Sequence, residues 1–335
     1  MEIRDGFPRL SPFHKIVPSA EDIRRVCKRY HVGKLIAVHG GLGGLLNVNL
    51  KVETTGGMYA LRVLSGFATE EHVEFTLRVI GILREAAIPA LQPLRTPTGS
   101  SFVRWNDRLI MLTPFVEGHE FRSRVGQARA SGEMLRRVHD ALSDVEDGPK
   151  PGWSNYPSAA IMGEGLSRLS EMRLSSGQVS EARRLRDSVM SRWRTVCRDL
   201  PTTIIHGDWH PGNQLYTDCR VICILDFDFI QRAERLHDVA YALWSLLTGN
   251  PSRSLSRTFL EGYGPLEENE RAALPHAIAR AALFFVCAAS FTSNPDEELE
   301  VQLQRQGPLI EWLLSSSGVD SISRLLPPRP LDRAA

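Results

Sequence analysis

Two short stretches decide the fold of this chain: His206-Gly-Asp-Trp-His-Pro-Gly-Asn213 and Ile224-Leu-Asp-Phe-Asp228. The β-branched and apolar residues at 203–205 and 221–225 predict a short strand leading into each of them. Proline and glycine inside the first stretch predict an irregular loop rather than a helix. The pattern therefore indicates two polar turns, each carrying acidic side chains, at the ends of short strands.

The acidic and amide side chains of these turns have the spacing that phosphoryl transfer requires. Asn213 follows Asp208 by five residues, and Asp226 lies at the end of the next predicted strand. The chemistry needs a carboxylate that orients the attacking hydroxyl and oxygen ligands for a divalent metal on the phosphates. Mg²⁺ prefers carboxylate and amide oxygens. The same spacing occurs in the kinase loop H-R-D-x-x-x-x-N with its following D-F-G aspartate, so the pattern favours phosphoryl transfer over a merely solvated turn.

Three further polar residues belong to the same turns. His206 and His210 flank Asp208, but Pro211 and Gly212 exclude the helical spacing of a zinc pair. We expect His206 to brace the loop by hydrogen bonding, and His210 either to fill the loop or to face a substrate. Asp228 is predicted on the same face of an extended strand as Asp226, where it either reaches a metal through water or caps the next segment.

The chain changes character near residue 118. Before it, a capping box at Ser19–Asp22 predicts a helix to about Tyr30, and Thr69 caps a helix to about Ala87. Strands are predicted at 34–39, 46–53 and 58–64, with hairpin turns at 54–57 and between 102–105 and 108–113. After it, helical periodicity predicts helices at 127–142, 178–200, 236–247, 267–291 and 297–314. We therefore predict a β-rich N-terminal lobe at 1–114, a helical lobe at 115–326 and a flexible tail at 327–335.

Composition excludes several classes of function. With 335 residues the chain has room for about two domains. Forty basic against 39 acidic residues give a net charge of +1, so no electrostatic surface for nucleic acid or anionic membranes is predicted. The N-terminus lacks a secretory pattern, and the apolar run 281–291 is shorter than the roughly 20 residues of a spanning helix. Five scattered cysteines indicate reduced thiols in a cytoplasmic protein.

These motifs together resemble the aminoglycoside phosphotransferase-like superfamily, which includes choline kinases, type II homoserine kinases and antibiotic kinases. Leu135-Arg-Arg-Val-His139 is similar to the helix before the family's catalytic loop, and Asp238 lies where the family has a helix-opening aspartate that braces this loop. The resemblance implies an α+β, bilobal protein-kinase-like fold, with a small antiparallel sheet in the N-lobe and a larger, mostly helical C-lobe. It also implies that Asp208 is the catalytic base and that Asn213 and Asp226 bind Mg²⁺.

The resemblance extends to a nucleotide site in the N-terminal lobe. Gly40-Gly-Leu-Gly-Gly44 lies between two predicted strands, where kinases fold a glycine-rich loop over phosphates, so Gly41, Gly43 and Gly44 are assigned to ATP. Arg62 takes the place of the usual strand lysine, with Lys51 as the fallback. Glu74 either pairs with Arg62 or lies on a solvated helix face. The hinge-like segment around Thr113 and Phe115 is assigned to the purine, and because Pro114 has no N–H, the donor there is Phe115 or Val116.

The predicted reaction is ATP- and Mg²⁺-dependent transfer to a hydroxyl of a small molecule, such as an amino alcohol, amino acid or sugar, with GTP as a possible second donor. An aminoglycoside or related antibiotic is the alternative acceptor. Polycationic antibiotics call for clustered carboxylates, and the dense acidic run at 296–300 has a simpler reading as the first turn of a helix. A nucleotide-binding pseudokinase and a protein kinase remain further alternatives. Against the latter, the chain has no D-F-G glycine and no A-P-E segment.

Overall fold

The computed structural model describes residues 15–172, 176–249 and 252–328. They form two compact units. Unit 1 holds the described part of Met1–Glu70 with Pro93–Phe115 and Phe291–Pro295. Unit 2 holds Glu71–Gln92, Val116–Ser290 and the described part of Asp296–Ala335. The N-terminal stretch that was read for a secretory pattern and most of the predicted tail lie outside the described residues.

An antiparallel sheet forms unit 1, as the sequence predicted. Its strands are β1 (Leu35–Gly41), β2 (Val48–Thr54), β3 (Gly57–Val63), β4 (Val103–Trp105) and β5 (Arg108–Pro114), in the spatial order β1-β2-β3-β5-β4. Strand β2 buries Val48, Leu50 and Val52, the alternate positions that share one face. Helix α1 (Ala20–Arg29) begins at the predicted capping box and contributes Ile23, Val26 and Cys27 to the same core.

Helices dominate unit 2. They are α2 (Glu70–Glu85), α3 (Val125–Ala141), α4 (Ala159–Glu171), α5 (Ser176–Val196), α6 (Leu236–Gly249), α7 (Arg253–Tyr263), α8 (Glu268–Ala288), α9 (Pro295–Leu314) and α10 (Ser316–Ser323). Helix α4 was not predicted, because Gly163 and Gly165 lower its intrinsic helix propensity. Helix α10 was missed because it is short and rich in serine. The mostly helical second part of the fold is nevertheless as expected.

Two short β-ladders interrupt the helices. Strand β6 (Thr202–Ile205) pairs with β9 (Gln231–Glu234), and β7 (Gln214–Thr217) pairs with β8 (Arg220–Ile224). The sequence predicted β6 and β8 but not β7 and β9. The polar residues of β7 and β9 obscure the apolar–polar alternation by which a strand is recognised. The pairing anchors both polar turns, because 206–213 connects β6 to β7 and 225–230 connects β8 to β9.

Helix α2 lies in the predicted N-terminal lobe by sequence, yet all but its first residue groups with unit 2. Its continuation is bonded to β8: Leu91 N donates to Ile224 O at 3.0 Å, and Ile224 N donates to Pro89 O at 2.8 Å. The buried His72 ring also lies 2.9 Å from Ile230 O. The lobe boundaries drawn from the sequence remain predictions.

Helix α8, with the turn that follows it to Phe291, is long and apolar enough to cross a membrane by length and composition. The apolar run 281–291 considered above covers only its C-terminal part. Of its most apolar window, 83% is buried inside the fold. That burial is the pattern of a core helix, around which α4, α5 and α6 pack.

Candidate active site

Asp208 lies in the loop after β6, with both carboxylate oxygens held by amide groups. Asn213 Nδ2 donates to Oδ2 at 2.8 Å, and Asn155 Nδ2 donates to Oδ1 at 2.8 Å. Asn213 Nδ2 also reaches the backbone O of Asp208 at 3.0 Å. These two amide donors orient the carboxylate. The side chain is only 16% exposed, so it is both fixed and reachable.

Asp238, in the first turn of α6, fixes the backbone of this loop. Its Oδ2 accepts the N–H of His206 at 2.8 Å, and its Oδ1 accepts the N–H of Gly207 at 2.8 Å. The imidazole of His139 in α3 lies 3.1 Å from the same carboxylate through Nε2. Because a carboxylate only accepts, Nε2 donates to it, and Nδ1 lies within hydrogen-bond distance of the Tyr263 hydroxyl at 2.9 Å. The brace therefore connects α3, α6 and α7 to the loop.

The brace is an ionised carboxylate despite its complete burial. Burial by itself raises the pKa of Asp238, but the hydrogen bond from His139, with the neighbouring histidines acting in the same direction, brings the net pKa below its usual value. The neighbouring His237 behaves in the opposite way. Burial lowers the pKa of His237 more than Asp238 raises it, so its ring is neutral at physiological pH.

The second polar turn is tied to the first through its backbone. Leu225 N donates to Asn213 O at 2.8 Å, and the His206 ring contacts Leu225 O through Nε2 at 3.0 Å. Asp226 follows with φ of +59°, a left-handed conformation that a side chain other than glycine adopts at a cost. The expectation that Asp226 and Asp228 share one face of a strand is wrong, because β8 ends at Ile224 and this left-handed residue breaks the alternation.

Asn213 and Asp226 suit a hard divalent cation such as Mg²⁺. Both hydrogen bonds of the Asn213 side chain use Nδ2, so its amide oxygen Oδ1 is turned away from Asp208. An amide oxygen beside a carboxylate is the donor set that Mg²⁺ prefers, with water and phosphate completing the shell. Among the described residues, no group of three His, Cys, Asp or Glu side chains could hold a metal.

Known proteins match this chain over most of its length. The model of the phosphotransferase enzyme family matches residues 39–275. A homoserine kinase from Granulibacter bethesdensis is 30% identical over 275 residues, covering 78% of this chain and 83% of the relative. A homoserine kinase from Methylobacillus flagellatus is 28% identical, covering 80% of this chain and 83% of the relative. The chain belongs to the phosphotransferase enzyme family. It is a phosphotransferase that acts on a hydroxyl group of a small molecule, and nucleotide is its second substrate.

Solved structures confirm the kinase-like fold of this phosphotransferase. A microcompartment-associated aminopropanol kinase superimposes with a TM-score of 0.70 at 16% identity, covering 90% of this chain and 99% of that chain. An amicoumacin kinase superimposes with a TM-score of 0.69 at 14% identity, covering 88% and 94%. At such low identity the likeness concerns the fold alone.

Three aromatic side chains of the phosphotransferase, Tyr241, Trp244 and Phe285, form an aromatic wall that begins beside Asp208. Burial, followed by the charge and hydrogen bonding of Asp208, raises the pKa of Tyr241 well above its usual range, and Asp226 acts in the same direction. The Tyr241 hydroxyl therefore stays protonated as a donor. Its ring lies 5.1 Å from that of Trp244, which stacks on Phe285 at 4.3 Å and 11°. Trp244 and Phe285 are only half-buried, so the wall has an accessible face.

The two remaining polar residues of these turns, His210 and Asp228, lie in different surroundings. His210 Nδ1 accepts the N–H of Gly212 at 3.1 Å, which leaves Nε2–H facing Asp208 Oδ2 at 3.8 Å, beyond hydrogen-bond range. The charge of Asp228 acts on His72 of α2, where it raises a pKa that burial lowers by more. A supporting role for Asp228 at the metal remains a prediction.

The predicted phosphate-binding residues of unit 1 lie on its first three strands. Gly41 ends β1, and Gly43 and Gly44 form the open turn that follows, with φ of +82° and +101°. Asn49 Nδ2 donates to Gly43 O at 3.0 Å and so closes the turn. Arg62 lies on β3 directly opposite Asn49. Their contacts with a nucleotide remain predictions.

Part of the predicted purine-binding segment is hydrogen-bonded within the sheet. Phe115 N donates to Met58 O at 3.0 Å, so of the two candidate amides only that of Val116 is left for a purine. Thr113 is buried, and its hydroxyl lies 3.4 Å from Ala60 O. Lys51 Nζ lies 4.1 Å from the centre of the Phe115 ring. Glu74 is exposed on α2, so its pairing with Arg62 remains a prediction.

Sequence reasoning missed Asn155 and Tyr241, which both contact the carboxylate of Asp208. Asn155 lies in an irregular segment between α3 and α4, far from the motif along the chain, and nothing in its surroundings marks it. Tyr241 carries no signal of its own, since aromatic residues at helical spacing are usually core. The aspartate three residues before it, predicted to open the helix, was the available signal that the N-terminal turn of α6 faces the loop.

Proposed function

We propose that this phosphotransferase transfers the γ-phosphoryl group of ATP, with Mg²⁺, to the hydroxyl of a small amino acid or amino alcohol, homoserine first. The observation that carries the proposal is the carboxylate of Asp208, held through both oxygens on a loop that the buried Asp238 fixes. The 30% identity with a homoserine kinase over most of both chains supports the choice of acceptor.

In the proposed reaction Asp208 takes the proton of the acceptor hydroxyl as that oxygen bonds to the γ-phosphorus. The bond from the γ-phosphorus to the bridging oxygen breaks, and ADP leaves with its electron pair. Asn155 and Asn213 keep the carboxylate oriented, so no reorganisation is needed as the proton moves. Asn213 and Asp226 would hold Mg²⁺, which neutralises phosphate charge when it is bound. The glycine turn and Arg62 would contact the phosphates, with Thr113 and Phe115 near the purine.

An antibiotic acceptor is less well supported. Asp296, Glu297 and Glu298 form the first turn of α9, where negative charge stabilises the helix N-terminus, as the simpler reading predicted. These carboxylates therefore need no ligand to account for them. A cytoplasmic location is part of the proposal, supported by the free state of Cys27, Cys197, Cys219, Cys223 and Cys287.

The test is ADP production with Mg-ATP across homoserine, amino alcohols, sugars, choline and aminoglycosides. We expect turnover with homoserine or an amino alcohol and its loss when the metal is chelated. Asp208→Asn should lower kcat by about 10²- to 10⁴-fold, because an amide cannot take the proton. The exposed Asp187→Asn is the matched control and should match wild type. An Asp208→Asn enzyme with wild-type rates would contradict the proposed base, and preference for an aminoglycoside would contradict the proposed acceptor.

A further inference from the structure

The carboxylate of the proposed base is oriented in part by a turn that lies outside the sequence motif. Asn155, which is 5% exposed, donates to Asp208 from the middle of the segment 153–158, called the Asn155 turn below. The turn is closed internally, because Tyr156 N donates to Ser154 Oγ at 3.0 Å. The direction in which the Asn155 amide points therefore depends on the contacts that hold this turn in place.

Strand β9 holds the Asn155 turn from one side. Gln231 Nε2 donates to Ser154 Oγ at 2.8 Å, and the Tyr156 hydroxyl donates to the carboxylate of Glu234. These two contacts lie on either side of Asn155 along the chain. Strand β9 also pairs with β6, and the catalytic loop begins at the end of β6. The turn and the loop are therefore anchored to the same ladder.

Helix α8 holds the same turn through Arg280. Its Nε donates to Pro157 O at 3.0 Å, and its guanidinium carbon lies 4.8 Å from the centre of the Tyr156 ring. The guanidinium also lies 4.3 Å from the centre of the Trp193 ring in α5. Its Nη1 lies 4.0 Å from Glu234 Oε2, at the outer limit of an ion pair. Arg280 therefore connects two helices and β9 to the residues that directly follow Asn155.

Stability alone does not account for a cation at this position. The side chain of Arg280 is only 7% exposed, so it has given up most of its hydration. Apolar side chains of similar volume often stabilise a fold as well as a buried charge does. The other end of the turn shows this alternative, since the Trp153 ring packs edge-on against Phe284 of α8 at 5.7 Å. A directional contact from Arg280 to the backbone of the turn is what an apolar residue could not provide.

We infer that Arg280 is a positioning residue of the reaction: it holds the Asn155 turn, and through Asn155 it keeps the carboxylate of Asp208 directed at the acceptor hydroxyl. The inference rests on the proposed function, in which Asp208 is the base. Because Arg280 acts through another side chain, its contribution to turnover requires that the Asn155 amide is present. An arginine that only stabilised the fold would contribute equally with and without that amide.

The test is a double-mutant cycle on kcat, measured with Mg-ATP and homoserine or a better acceptor from the panel. Asn155→Ala should lower kcat by about 10- to 100-fold, because a base that is displaced by about 1 Å loses its alignment with the hydroxyl. Arg280→Met should lower kcat about tenfold while the KM for ATP stays the same. The double variant should lie within about twofold of Asn155→Ala alone, since no amide is left to position.

A matched control and a milder variant complete the design. Arg271 lies on the same helix and also donates to a proline carbonyl, Pro327 O at 3.1 Å, so Arg271→Met should leave kcat unchanged with and without Asn155. If Arg280→Met folds poorly, Arg280→Lys replaces it in the cycle. Lysine keeps the positive charge near Glu234 but lacks the planar fork of donors. It should lower kcat several-fold when Asn155 is present and leave it unchanged in the Asn155→Ala background.

The outcomes separate the inference from the proposed function. If the losses at Arg280 and Asn155 multiply in the double variant, the inference is overturned while the kinase stands. A wild-type kcat in the Arg280 variant that folds, or in Asn155→Ala, has the same meaning. Wild-type rates in Asp208→Asn, or a wild-type enzyme that phosphorylates no acceptor in the panel, overturn the proposed function, and the inference with it.

Discussion

Two glycine-containing segments of this chain are built in opposite ways. In the loop 206–213 of unit 2, a Cβ at Gly207 would lie 2.5 Å from Phe229 O and 2.8 Å from Phe229 Cβ. In the turn 40–44 of unit 1, a Cβ at Gly43 would meet nothing within 4 Å, and the neighbouring Leu42 is exposed. Both glycines have φ of +82°. The same backbone conformation serves dense packing at Gly207 and open space at Gly43.

The difference fits the role proposed for each segment. A base must be held in one geometry, and the loop of Asp208 is fixed by hydrogen bonds with Asp238 and Asn155. A segment that takes up a ligand leaves room for it and gains its remaining contacts on binding. We therefore expect substitutions in the first segment to act on folding and turnover together, and substitutions in the second to act on nucleotide use.

The largest effect is expected at Asp238. Asp238→Asn removes the charge that accepts from His206 N, Gly207 N and His139, and it turns an amide N–H towards at least one of these donors. Leaving buried groups unpaired in this way costs about 3–5 kcal/mol of unfolding free energy. Denaturant titration measures it, with the exposed Asp187→Asn as control. A variant within 1 kcal/mol of wild type, on the order of one ordinary hydrogen bond, would show that the brace is dispensable.

Alanine substitutions at Gly207 and Gly43 separate the energetic cost of overpacking from that of backbone strain. Because Gly207 and Gly43 have the same φ, alanine adds about 1 kcal/mol of left-handed strain at both sites. Gly207→Ala should lose about 2–3 kcal/mol more, since its Cβ overlaps the backbone of Phe229. Gly43→Ala should instead raise KM for ATP several-fold with little change in stability.

Chemical denaturation and ATP titration of the two variants provide the measurements. Equal stability losses at Gly207 and Gly43 would remove the packing difference on which the comparison rests. An unchanged KM for ATP in Gly43→Ala would remove that glycine from the predicted nucleotide site.

The sequence predicted the braced segment well because its constraints are local. Asp208, Asn213 and Asp226 lie close together along the chain, at a spacing that can be recognised. Gly207 and Pro211 mark the first turn as an irregular loop. The antiparallel sheet of unit 1 was equally accessible, since β2 alternates buried and half-buried residues and its hairpin turn contains two glycines. Local propensity and chemistry agree in both places.

What the sequence could not predict depends on distant contacts. Asn155 reaches Asp208 across 53 residues of chain and has no motif of its own. Strand β9 carries polar residues on both faces, so only its pairing with β6 makes it a strand. The Phe115 amide looked available for a purine until the sheet register showed it bonded to Met58 O. In each case a tertiary partner decides what an ambiguous local pattern becomes.

The smallest effect is a loss of stability in mild acid. It bears on the comparison of the two segments because the histidines responsible are buried in unit 2. Burial lowers the pKa of His72, His237 and His276 below the ordinary value of 6.5. A group whose pKa is lowered on folding contributes its full stability above 6.5 and loses it as the pH falls towards the folded pKa, because the unfolded chain binds the proton more readily. The free energy of unfolding should therefore fall between about pH 7.5 and pH 5.5, by on the order of 1 kcal/mol for each such histidine. His72→Gln, which keeps a donor for Ile230 O, should flatten part of that slope, whereas a slope equal to wild type would show that His72 titrates alike in both states.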